Sequence, residues 1–229
     1  MNLLIIPARG GSKRIPRKNI KIFKGKPIIE WTISTALSLK IFDKIIVSTD
    51  DNEIANLSND LGVDVPFIRP SNLADDNTST REVILHAINW YKRKNIDFNY
   101  VCCLYPTSIF IKEKDINEAF NKLKKSQEDT YIFSAISYGH PIKRSFLIDK
   151  KGFSKMFFKN TFQERTQDLD NAYHDAGQFY IAKPEVWINK KVIFENSIPF
   201  LLKRWQSVDI DTFEDWYMAE IIYEWILKK

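Results

Sequence analysis

Short apolar runs alternate with helical patterns over the first 125 residues of the chain. The apolar runs are typical of strands buried on both faces of a sheet, and they span Leu3 to Pro7, Lys44 to Thr49, Val65 to Ile68 and Tyr100 to Leu104. Apolar residues recur at helical spacing in the segments that lie between and after them, which are Pro27 to Leu37, Asn52 to Leu61, Thr80 to Lys94 and Asp115 to Lys125. This alternation predicts an α/β fold, with a mainly parallel sheet flanked by helices.

The alternation stops after residue 125. Three β-like runs then follow, separated by polar stretches, and they are Tyr131 to Tyr138, Gln178 to Ala182 and Pro199 to Leu202. We predict one domain over residues 1–229, with a smaller β-rich lobe inserted at about 131–200 that packs against a second subunit. The chain closes with a predicted strand, Gln206 to Ile210, and a helix, Thr212 to Leu227. That helix is expected to bury Trp216, Ile221, Ile222 and Trp225.

Composition indicates a globular protein with a core of its own. A chain of 229 residues that is 44% hydrophobic suits one sizeable domain. Cys102 and Cys103 are neighbours in an apolar run, which favours reduced core cysteines in a cytoplasmic protein over a disulfide. No apolar stretch approaches 18 residues and no signal-peptide pattern is present, so we expect no contact with a membrane.

The positive charge of the chain is concentrated in one segment. The whole chain has 34 Lys and Arg against 29 Asp and Glu, whereas everything outside this segment has 26 against 29, a net charge of −3. Between Met1 and Glu30 there is no acidic residue and there are eight basic ones, which are Arg9, Lys13, Arg14, Arg17, Lys18, Lys21, Lys24 and Lys26. The segment therefore forms a cationic loop directly after the first predicted strand.

The position and glycines of this loop point to a polyphosphate ligand. Ligands of open parallel sheets bind beyond the carboxyl ends of the strands, and Gly10-Gly11 lets backbone N–H groups approach phosphate oxygens. Neither a Walker A pattern nor G-x-G-x-x-G is present. The alternative is a solvated basic loop or a weak nucleic-acid patch. Its strand-end position and glycine pair disfavour that alternative, so we expect no nucleic-acid partner.

Asp209-Ile210-Asp211 is a candidate metal site near the other end of the chain. In an extended segment, residues two apart point the same way, so the two carboxylates share one face. Mg²⁺ favours one or two carboxylates together with phosphate oxygens. The alternative, equally favoured by these residues alone, is that Asp211 merely caps the last helix.

Two further polar segments are candidate ligand sites. The first runs from Arg69 to Thr80, where Ser79 or Thr80 caps a helix whose free N–H groups can face an anion; a plain surface loop is about as well supported. The second runs from Asn171 to Tyr180, where Gly177 in a strand indicates close approach of a ligand or another backbone. Its polar side chains suit a polyol, although a polar surface is the simpler explanation of a lone histidine.

With these motifs taken together, the chain resembles the acylneuraminate cytidylyltransferase family, the CMP-sialic acid synthetases. Residues Ile6 to Asn19 match the family pattern I-P-A-R-G-G-S-K-G-I-P-x-K-N, except that Arg14 stands in place of the usual glycine. The resemblance continues through Ser48 to Asp50, through Arg69-Pro70 with Leu73-Ala74, through Tyr105 to Ser108 and through Asp209 to Asp211. It covers nearly the whole chain in one order.

The resemblance implies a nucleotidyltransferase-type, Rossmann-like sheet, a dimerisation lobe, CTP as co-substrate and Mg²⁺ as cofactor. It implies triphosphate contacts from Arg9, Ser12, Lys13, Lys18 and Asn19, and cytidine contacts from Arg69, Thr78 and Thr80. Asp209 and Asp211 would hold the Mg²⁺. Lys18, Arg9 and Asp211 are the expected catalytic residues, but which aspartate helps to deprotonate the sugar hydroxyl stays open.

Two departures from the sialic acid enzymes bear on the sugar. Tyr105 stands where those enzymes usually have Gln, and the segment Tyr173 to Tyr180 resembles pseudaminic acid cytidylyltransferases. The resemblance therefore implies condensation of CTP with pseudaminic acid, a nine-carbon 2-keto sugar acid, to CMP-pseudaminic acid and pyrophosphate. Sialic, legionaminic and 3-deoxy-octulosonic acid stay open as alternative sugars. The expected sugar contacts are Tyr105, Lys143, Arg165, Gln167, His174, Asp175 and Gln178.

Overall fold

A computed structural model describes residues 1–126, 128–161 and 163–228 of the chain. The strands are β1 (Asn2–Pro7), β2 (Ile22–Phe23), β3 (Lys26–Pro27), β4 (Lys44–Ser48), β5 (Tyr100–Leu104), β6 (Ile132–Ser137), β7 (Phe146–Ile148), β8 (Ser154–Met156), β9 (Tyr173–Ala182) and β10 (Ile198–Leu201). The helices are α1 (Ile28–Ser38), α2 (Asn52–Asp60), α3 (Thr80–Lys92), α4 (Glu113–Lys125), α5 (Pro184–Asn189) and α6 (Phe213–Leu227).

Six strands form the central sheet, in the order β10-β6-β9-β5-β1-β4. Strand β1 pairs in parallel with both β4 and β5, with Leu3 opposite Lys44 and Val101, and β10 pairs in parallel with β6. Strand β9 runs antiparallel to both of its neighbours. Five strands therefore run in one direction, which confirms the predicted mainly parallel sheet. The carboxyl ends of β4, β1 and β5 meet at one edge.

The apolar strands are covered by helices on both faces, as their patterns predict. Because successive residues of a strand point to opposite faces, Leu4 and Cys102 pack with α1, α2 and α4, whereas Leu3 and Cys103 pack with α3 and α5. Both cysteines are fully buried and free. They are core residues, as the sequence predicts.

A third apolar cluster joins the basic segment to the end of the chain. It contains Ile15, from the basic segment, together with Phe23, Ile210 and Trp216, and all four are 3% exposed or less. Phe23 and Trp216 meet edge to face, with ring centroids 5.5 Å apart. This cluster fixes residues 9–19 against residues 209–211, which lie nearly 200 positions away in the sequence.

Two predicted strands are wrong. Val65 to Ile68 forms no strand: only isolated bridges occur there, between Asp64 and Ile46 and between Ile68 and Thr49. Pro66 lies between the bridges and has no N–H to donate to a ladder. The other is Gln206 to Ile210, where a turn of 3₁₀-helix, Arg204–Gln206, is followed by irregular chain. The side chain of Ile210 is buried in the third cluster, but residues 207–211 belong to no strand.

The predicted lobe at 131–200 has different boundaries in the structure. Its three β-like runs are strands β6, β9 and β10, which all belong to the central sheet. Only the intervening residues lie outside that sheet, and they contain the small β7–β8 hairpin. The misplacement has a physical cause: a short apolar strand looks the same in sequence whether it joins a main sheet or a small one.

Helix α6 forms as predicted, but its burial differs. Trp216 is buried, whereas Ile221 is 62% exposed and Trp225 is 42% exposed. The helix is apolar on most of its surface, so spacing alone did not identify the face that packs on the third cluster. Among the described residues, no helix is long and apolar enough to cross a membrane.

Candidate active site

A cavity of about 360 Å³ opens at the carboxyl edge of the sheet, beside β1 and β5. Its wall contains every residue predicted to contact nucleotide or metal, together with Tyr105. The lining residues are Pro7, Arg9, Ser12, Lys13, Arg14, Ile15, Lys18, Asn19, Arg69, Thr78, Thr80, Val83, Tyr105, Pro106, Thr107, Asp209 and Asp211. Residues from four separate stretches of sequence thus meet in one polar, mainly cationic cleft.

Asp51 fixes the conformation of the basic loop through its contact with Arg17. Arg17 has a left-handed backbone (φ 55°) and its guanidinium donates two hydrogen bonds to the Asp51 carboxylate. That carboxylate also caps α2, accepting from the backbone N–H of Glu53 and Ile54 at 3.0 Å. The Arg17 hydrogen bond lowers the pKa of Asp51, with burial acting in the opposite direction. A Cβ on Gly10 would lie 2.6 Å from the same carboxylate, so this position requires glycine.

Two buried polar groups of the cavity wall have no partner among the described residues. They are Nε of Arg69, a residue that is 4% exposed, and Oδ1 of Asn19, a residue that is 3% exposed. Burial lowers the pKa of Arg69, and the nearby Asp50 carboxylate, 3.5 Å from Nη2, partly offsets this. Because buried polar atoms are normally hydrogen-bonded, a ligand with one acceptor and one donor fits this part of the wall.

Asp76 forms ion pairs with two cations of the basic loop. Its carboxylate lies 2.6 Å from Nη1 of Arg9 and 2.5 Å from Nζ of Lys13. Hydrogen bonds from Lys13 and Arg9 lower the pKa of Asp76. The polar segment from Arg69 to Thr80 therefore supplies an anion to the same two cations that the sequence predicts to bind a triphosphate.

Asp209 and Asp211 line the cavity together, as their spacing predicts. The Asp211 carboxylate lies 2.6 Å from Nη2 of Arg14 and 3.2 Å from Nζ of Lys18, which also donates to the carbonyl of Ile210 at 2.5 Å. Burial and the charge of Asp211 raise the pKa of Asp209. A cation beside Asp209 would favour the ionised form of this carboxylate.

The alternative role of Asp211 as a helix cap is wrong. Thr212 caps α6, and its hydroxyl accepts from the N–H of Asp215 in a capping box. Among the described residues, no group of three or more His, Cys, Asp or Glu side chains could hold a metal ion. A divalent cation between Asp209 and Asp211 would therefore take its other ligands from a bound phosphate and water.

Helix α3 brings Thr80 to the cavity. Ser79 caps the helix in a capping box with Glu82, as one of the two predicted caps. Thr80, the first helical residue, points its hydroxyl to that of Tyr105, at 2.6 Å. Burial raises the pKa of Tyr105 to about 12, which keeps its phenol protonated at neutral pH.

Of the seven predicted sugar residues, only Tyr105 lines the cavity, and the other six lie outside its wall. Lys143 is paired with Asp170 at 2.7 Å and Arg165 with Asp168 at 3.0 Å. Gln167 is exposed. The other three belong to β9 and form hydrogen bonds to residues close in sequence. The His174 ring bonds to the carbonyl of Asp175, the Asp175 carboxylate accepts from the N–H of Gly177, and the Gln178 amide donates to the carbonyls of Ala176 and Gly177.

Sequence reasoning missed several residues of the site. Arg14 is one of the eight basic residues and departs from the family pattern, but no contact is predicted for it individually; it lines the cavity and pairs with Asp211. Asp76 was passed over within a polar loop, although its acidic character opposite a basic loop was the available signal. Val83 lines the cavity without any such signal, because only the fold brings α3 beside the end of β5. Thr107 lies within the Tyr105 to Ser108 segment of the family resemblance, but no contact is predicted for it individually.

Comparison with known proteins gives this geometry a family. A family model described as cytidylyltransferase matches residues 3–225. This chain belongs to the cytidylyltransferase family. As a member it is a CTP-dependent nucleotidyltransferase, and the cationic loop is a suitable place for the triphosphate of CTP.

Relatives of this cytidylyltransferase match along almost its whole length. It is 41% identical over 224 residues to the pseudaminic acid cytidylyltransferase of Campylobacter jejuni, covering 97% of this chain and 96% of the relative. It is 34% identical to the CMP-N,N'-diacetyllegionaminic acid synthase of Legionella pneumophila, covering 97% and 96%. Identity to the N-acylneuraminate cytidylyltransferase of Escherichia coli is 29%, over 97% of this chain and 52% of that protein.

Solved structures show that the cytidylyltransferase fold is shared more widely than the sequence. A CMP:2-keto-3-deoxy-manno-octonic acid synthetase complexed with CTP aligns with a TM-score of 0.72 at 14% identity, over 97% of this chain and 98% of that one. A 4-diphosphocytidyl-2C-methyl-D-erythritol synthase from Anaerococcus prevotii aligns with a TM-score of 0.64 at 15% identity, over 97% and 96%. The nucleotidyltransferase-type fold is therefore confirmed.

Proposed function

We propose that this enzyme condenses CTP with pseudaminic acid, giving CMP-pseudaminic acid and pyrophosphate. In this reaction the anomeric oxygen of the sugar acid bonds to the α-phosphorus, the bond from that phosphorus to pyrophosphate breaks, and the hydroxyl proton passes to a base. The 41% identity to the Campylobacter jejuni enzyme supports this choice of sugar. One observation supports the proposed reaction: residues of the basic loop line the same cavity as Asp209 and Asp211.

The basic loop is proposed to bind and neutralise the triphosphate. Lys18 is only 18% exposed and its ammonium lies beside Asp211, so it is our choice for the group nearest the reacting phosphate. Arg9, Ser12, Lys13 and Asn19 line the same wall and would hold the departing pyrophosphate. Cations fixed where charge develops stabilise a transition state without reorganisation.

The buried Arg69 is proposed to read the cytidine. Its orphaned Nε–H suits a carbonyl acceptor, while Thr78 and Thr80 border the same wall. This proposal predicts that a pyrimidine triphosphate with the same carbonyl binds better than a purine triphosphate. Competition by UTP and by ATP against CTP measures that difference.

Mg²⁺ is proposed as the cofactor, held by Asp209 and Asp211. A divalent cation there would neutralise the α-phosphate and orient it. Burial and, after it, the charge of Asp211 raise the pKa of Asp209, and a bound cation would oppose both effects, which supports the fit. Chelation should abolish turnover, and Asp209→Asn should raise the Mg²⁺ concentration that restores half of the maximal rate. Full activity in the presence of excess chelator would contradict the proposal.

N,N'-diacetyllegionaminic acid is the second candidate sugar, since a 34% identical relative bears that name. One experiment separates the candidates. The enzyme is incubated with CTP, Mg²⁺ and, separately, pseudaminic, legionaminic, sialic or 3-deoxy-octulosonic acid, and pyrophosphate release is measured. The highest kcat/KM should be obtained with pseudaminic acid, and a higher value with another acid would replace it as the substrate.

A homodimer is proposed from the surface around the β7–β8 hairpin. Phe146, Ile148, Phe153 and Phe157 are each between 56% and 71% exposed. Apolar residues grouped in this way mark an interaction surface, and a second copy of the chain is the proposed occupant. The mass in solution, measured by light scattering, should be twice 26.9 kDa. Ile148→Asp should shift it to the monomer, with Ile22→Asp, an exposed residue of another region, as the control.

The cytoplasm is the proposed location, because CTP is available there. The two fully buried thiols, which are free, agree with a reducing compartment.

A further inference from the structure

Arg14 is a cation of the cavity wall to which the proposed reaction assigns no role. Its side chain is 67% exposed, and Nη2 of its guanidinium donates to Oδ2 of Asp211 at 2.6 Å. Among the described residues, Asp211 is its only hydrogen-bonding partner. Because a guanidinium has five N–H donors, most of the donors of Arg14 remain available to a ligand in the cavity.

The other four cations of the cavity wall are already engaged. Arg9 and Lys13 share one carboxylate and are proposed to hold the triphosphate. Arg69 is 4% exposed and is proposed to read the base. Lys18 is 18% exposed and is fixed by two acceptors, a carboxylate and a backbone carbonyl. Arg14 is therefore the cation of this wall that can turn toward a second substrate.

The second substrate of the proposed reaction is itself an anion. In a 2-keto sugar acid, the anomeric carbon carries the attacking hydroxyl and is bonded directly to the carbon of the carboxylate. The carboxylate must therefore approach the α-phosphate together with that hydroxyl, and the two negative charges repel each other. A positive charge beside the reacting phosphate would offset this repulsion.

Arg14 lies where such a charge is needed. Lys18, the group proposed to lie nearest the reacting phosphate, is 3.2 Å from Oδ1 of Asp211, and Arg14 contacts Oδ2 of the same carboxylate. The two cations are therefore neighbours on one wall of the cavity. The basic residues first predicted to contact the sugar, Lys143 and Arg165, lie outside this wall, each paired with an aspartate.

We propose that Arg14 binds the carboxylate of the sugar acid beside the reacting phosphate. A guanidinium matches a carboxylate with two parallel N–H···O hydrogen bonds, and giving up one exposed ion pair to form them costs little. The proposal rests on the proposed function for the class of the second substrate. It applies equally to each candidate sugar acid, because all of them carry a carboxylate on the anomeric carbon.

Arg14→Gln is the first test, because it removes the charge and keeps an unbranched polar side chain. We expect the KM for the sugar acid to rise about tenfold to a hundredfold, the range for a hydrogen bond to a charged group. The KM for CTP should change less than about twofold. A rise in the CTP KM as large as that for the sugar acid would assign Arg14 to the triphosphate and overturn the proposal. Unchanged KM values would overturn it as well.

Lys24→Gln is the matched control. Lys24 belongs to the same basic segment and also forms an ion pair, with Glu224 at 2.6 Å, but it does not line the cavity. Each of the two changes removes one positive charge and one ion pair, so the control should leave both KM values unchanged. A sugar KM raised equally in the two variants would reveal a general effect of net charge, which contradicts the proposal.

A binding cycle with a changed substrate tests the contact itself. The unreactive analogue α,β-methylene CTP is bound first, with Mg²⁺, and calorimetry then measures the Kd of the sugar acid and of its carboxamide, which lacks the negative charge. The wild type should bind the acid at least about tenfold more tightly than the carboxamide. Arg14→Gln should bind the two about equally, because the contact is already lost. A preference for the acid that persists undiminished in the variant would overturn the proposal.

The choice of sugar acid separates this proposal from the proposed function. The cycle is measured with whichever acid the wild type turns over best. A preference of the wild type for an acid other than pseudaminic acid would contradict the proposed function and leave the test of Arg14 intact. Turnover of pseudaminic acid, with the full preference for acid over carboxamide retained in Arg14→Gln, would contradict the role of Arg14 alone.

Discussion

Two polar regions were both predicted to contact substrate, and they differ in how their hydrogen-bonding groups are used. In the basic loop, the cationic side chains of Arg9, Lys13 and Lys18 line the cavity, and their partners are carboxylates on other segments. At the start of β9, the polar groups of Asp175 and Gln178 bond mainly to residues within five positions. The first region faces the ligand space; the second shapes the wall behind it.

Polar segments of these two kinds form their hydrogen bonds and ion pairs differently, and their sequences reflect this. A run of like charges cannot form ion pairs within itself, so its partners are carboxylates on other segments, a bound anion or solvent. A mixed segment such as Tyr173 to Gln178, with carboxylate, amide and glycine together, can satisfy itself by local hydrogen bonds. Only the first pattern predicts a ligand without knowledge of the fold.

Removal of Lys18 should give the largest effect and tests the basic-loop side of the comparison. We expect Lys18→Ala to lower kcat by about 10²- to 10³-fold, as for other groups that stabilise transition-state charge. Lys21→Ala is the control, because Lys21 belongs to the same segment but lies over the rings of Phe213 and Trp216, 5.6 and 5.7 Å away. Steady-state pyrophosphate release measures both. An equal kcat for Lys18→Ala and Lys21→Ala would place the catalytic cation elsewhere.

Asp51→Asn should show what holds the basic loop in shape. Asparagine is also a good helix cap, so this change removes the charge opposite Arg17 and leaves the cap of α2. We expect a loss of about 1 kcal/mol in the free energy of unfolding at pH 7. Urea denaturation across a pH series measures this loss.

The pH dependence of that loss has a defined sign. The pKa of Asp51 is lowered in the folded protein, so its contribution is present above the ordinary aspartate value of about 4 and lost as the pH falls below it. The difference between wild type and Asp51→Asn should therefore close below that value. A difference that stays constant down to the acid limit would mean that the Asp51 charge contributes nothing.

Asp76→Asn should have a smaller effect than the two changes above. It should strengthen the binding of an anion, whereas those changes lower activity or stability. Its carboxylate pairs with Arg9 and Lys13, the cations proposed for the triphosphate. Because exposed ion pairs are weak, we expect pyrophosphate to bind only about threefold more tightly to the variant. Calorimetric titration with pyrophosphate measures this, with Asp60→Asn, at the end of α2, as the control. Weaker binding to Asp76→Asn would show that Asp76 helps the anion site instead of competing with the ligand.

His174→Ala should give the smallest effect and tests the other side of the comparison. The imidazole is exposed, bonded to the carbonyl of Asp175 and packed on Tyr138 at 4.7 Å. A change in kcat/KM of about twofold or less is expected, as for other surface positions. A tenfold rise in the sugar KM would restore His174 as a direct sugar contact and weaken the contrast between the two regions.

Much of the fold was predictable because its patterns are local. The helices from Ile28, Asn52, Thr80, Glu113 and Phe213 were predicted within about two residues of their starts, since periodicity and capping residues are read from neighbours in sequence. The strand predictions failed where the outcome depends on a distant partner. Ile210 is apolar and buried, yet residues 207–211 belong to no strand.

The site was predictable to the extent that its residues carry unbalanced charge. The basic segment and the pair Asp209 and Asp211 can be recognised in the sequence by their charge. In the structure the third apolar cluster packs the two segments together, as expected of residues that form one site. Val83 had no signal of its own. Six of the seven predicted sugar residues lie outside the cavity wall, and for Asp175 the reason is a bulge, formed by pairing between β9 and β6, that turns it onto Tyr180.

The class of fold, the cytidylyltransferase family and the cationic character of the cavity can all be inferred from the sequence, because periodicity, ordered motifs and excess charge are properties of local segments. Tertiary structure alone decided which polar groups face the cavity. Asp175 and Asp211 are both carboxylates predicted to meet substrate, but Asp211 lines the cavity beside Lys18, whereas Asp175 is bonded to Tyr180 behind its wall. The physical reason is that a carboxylate binds the nearest available donor, and only the folded chain determines which donor that is.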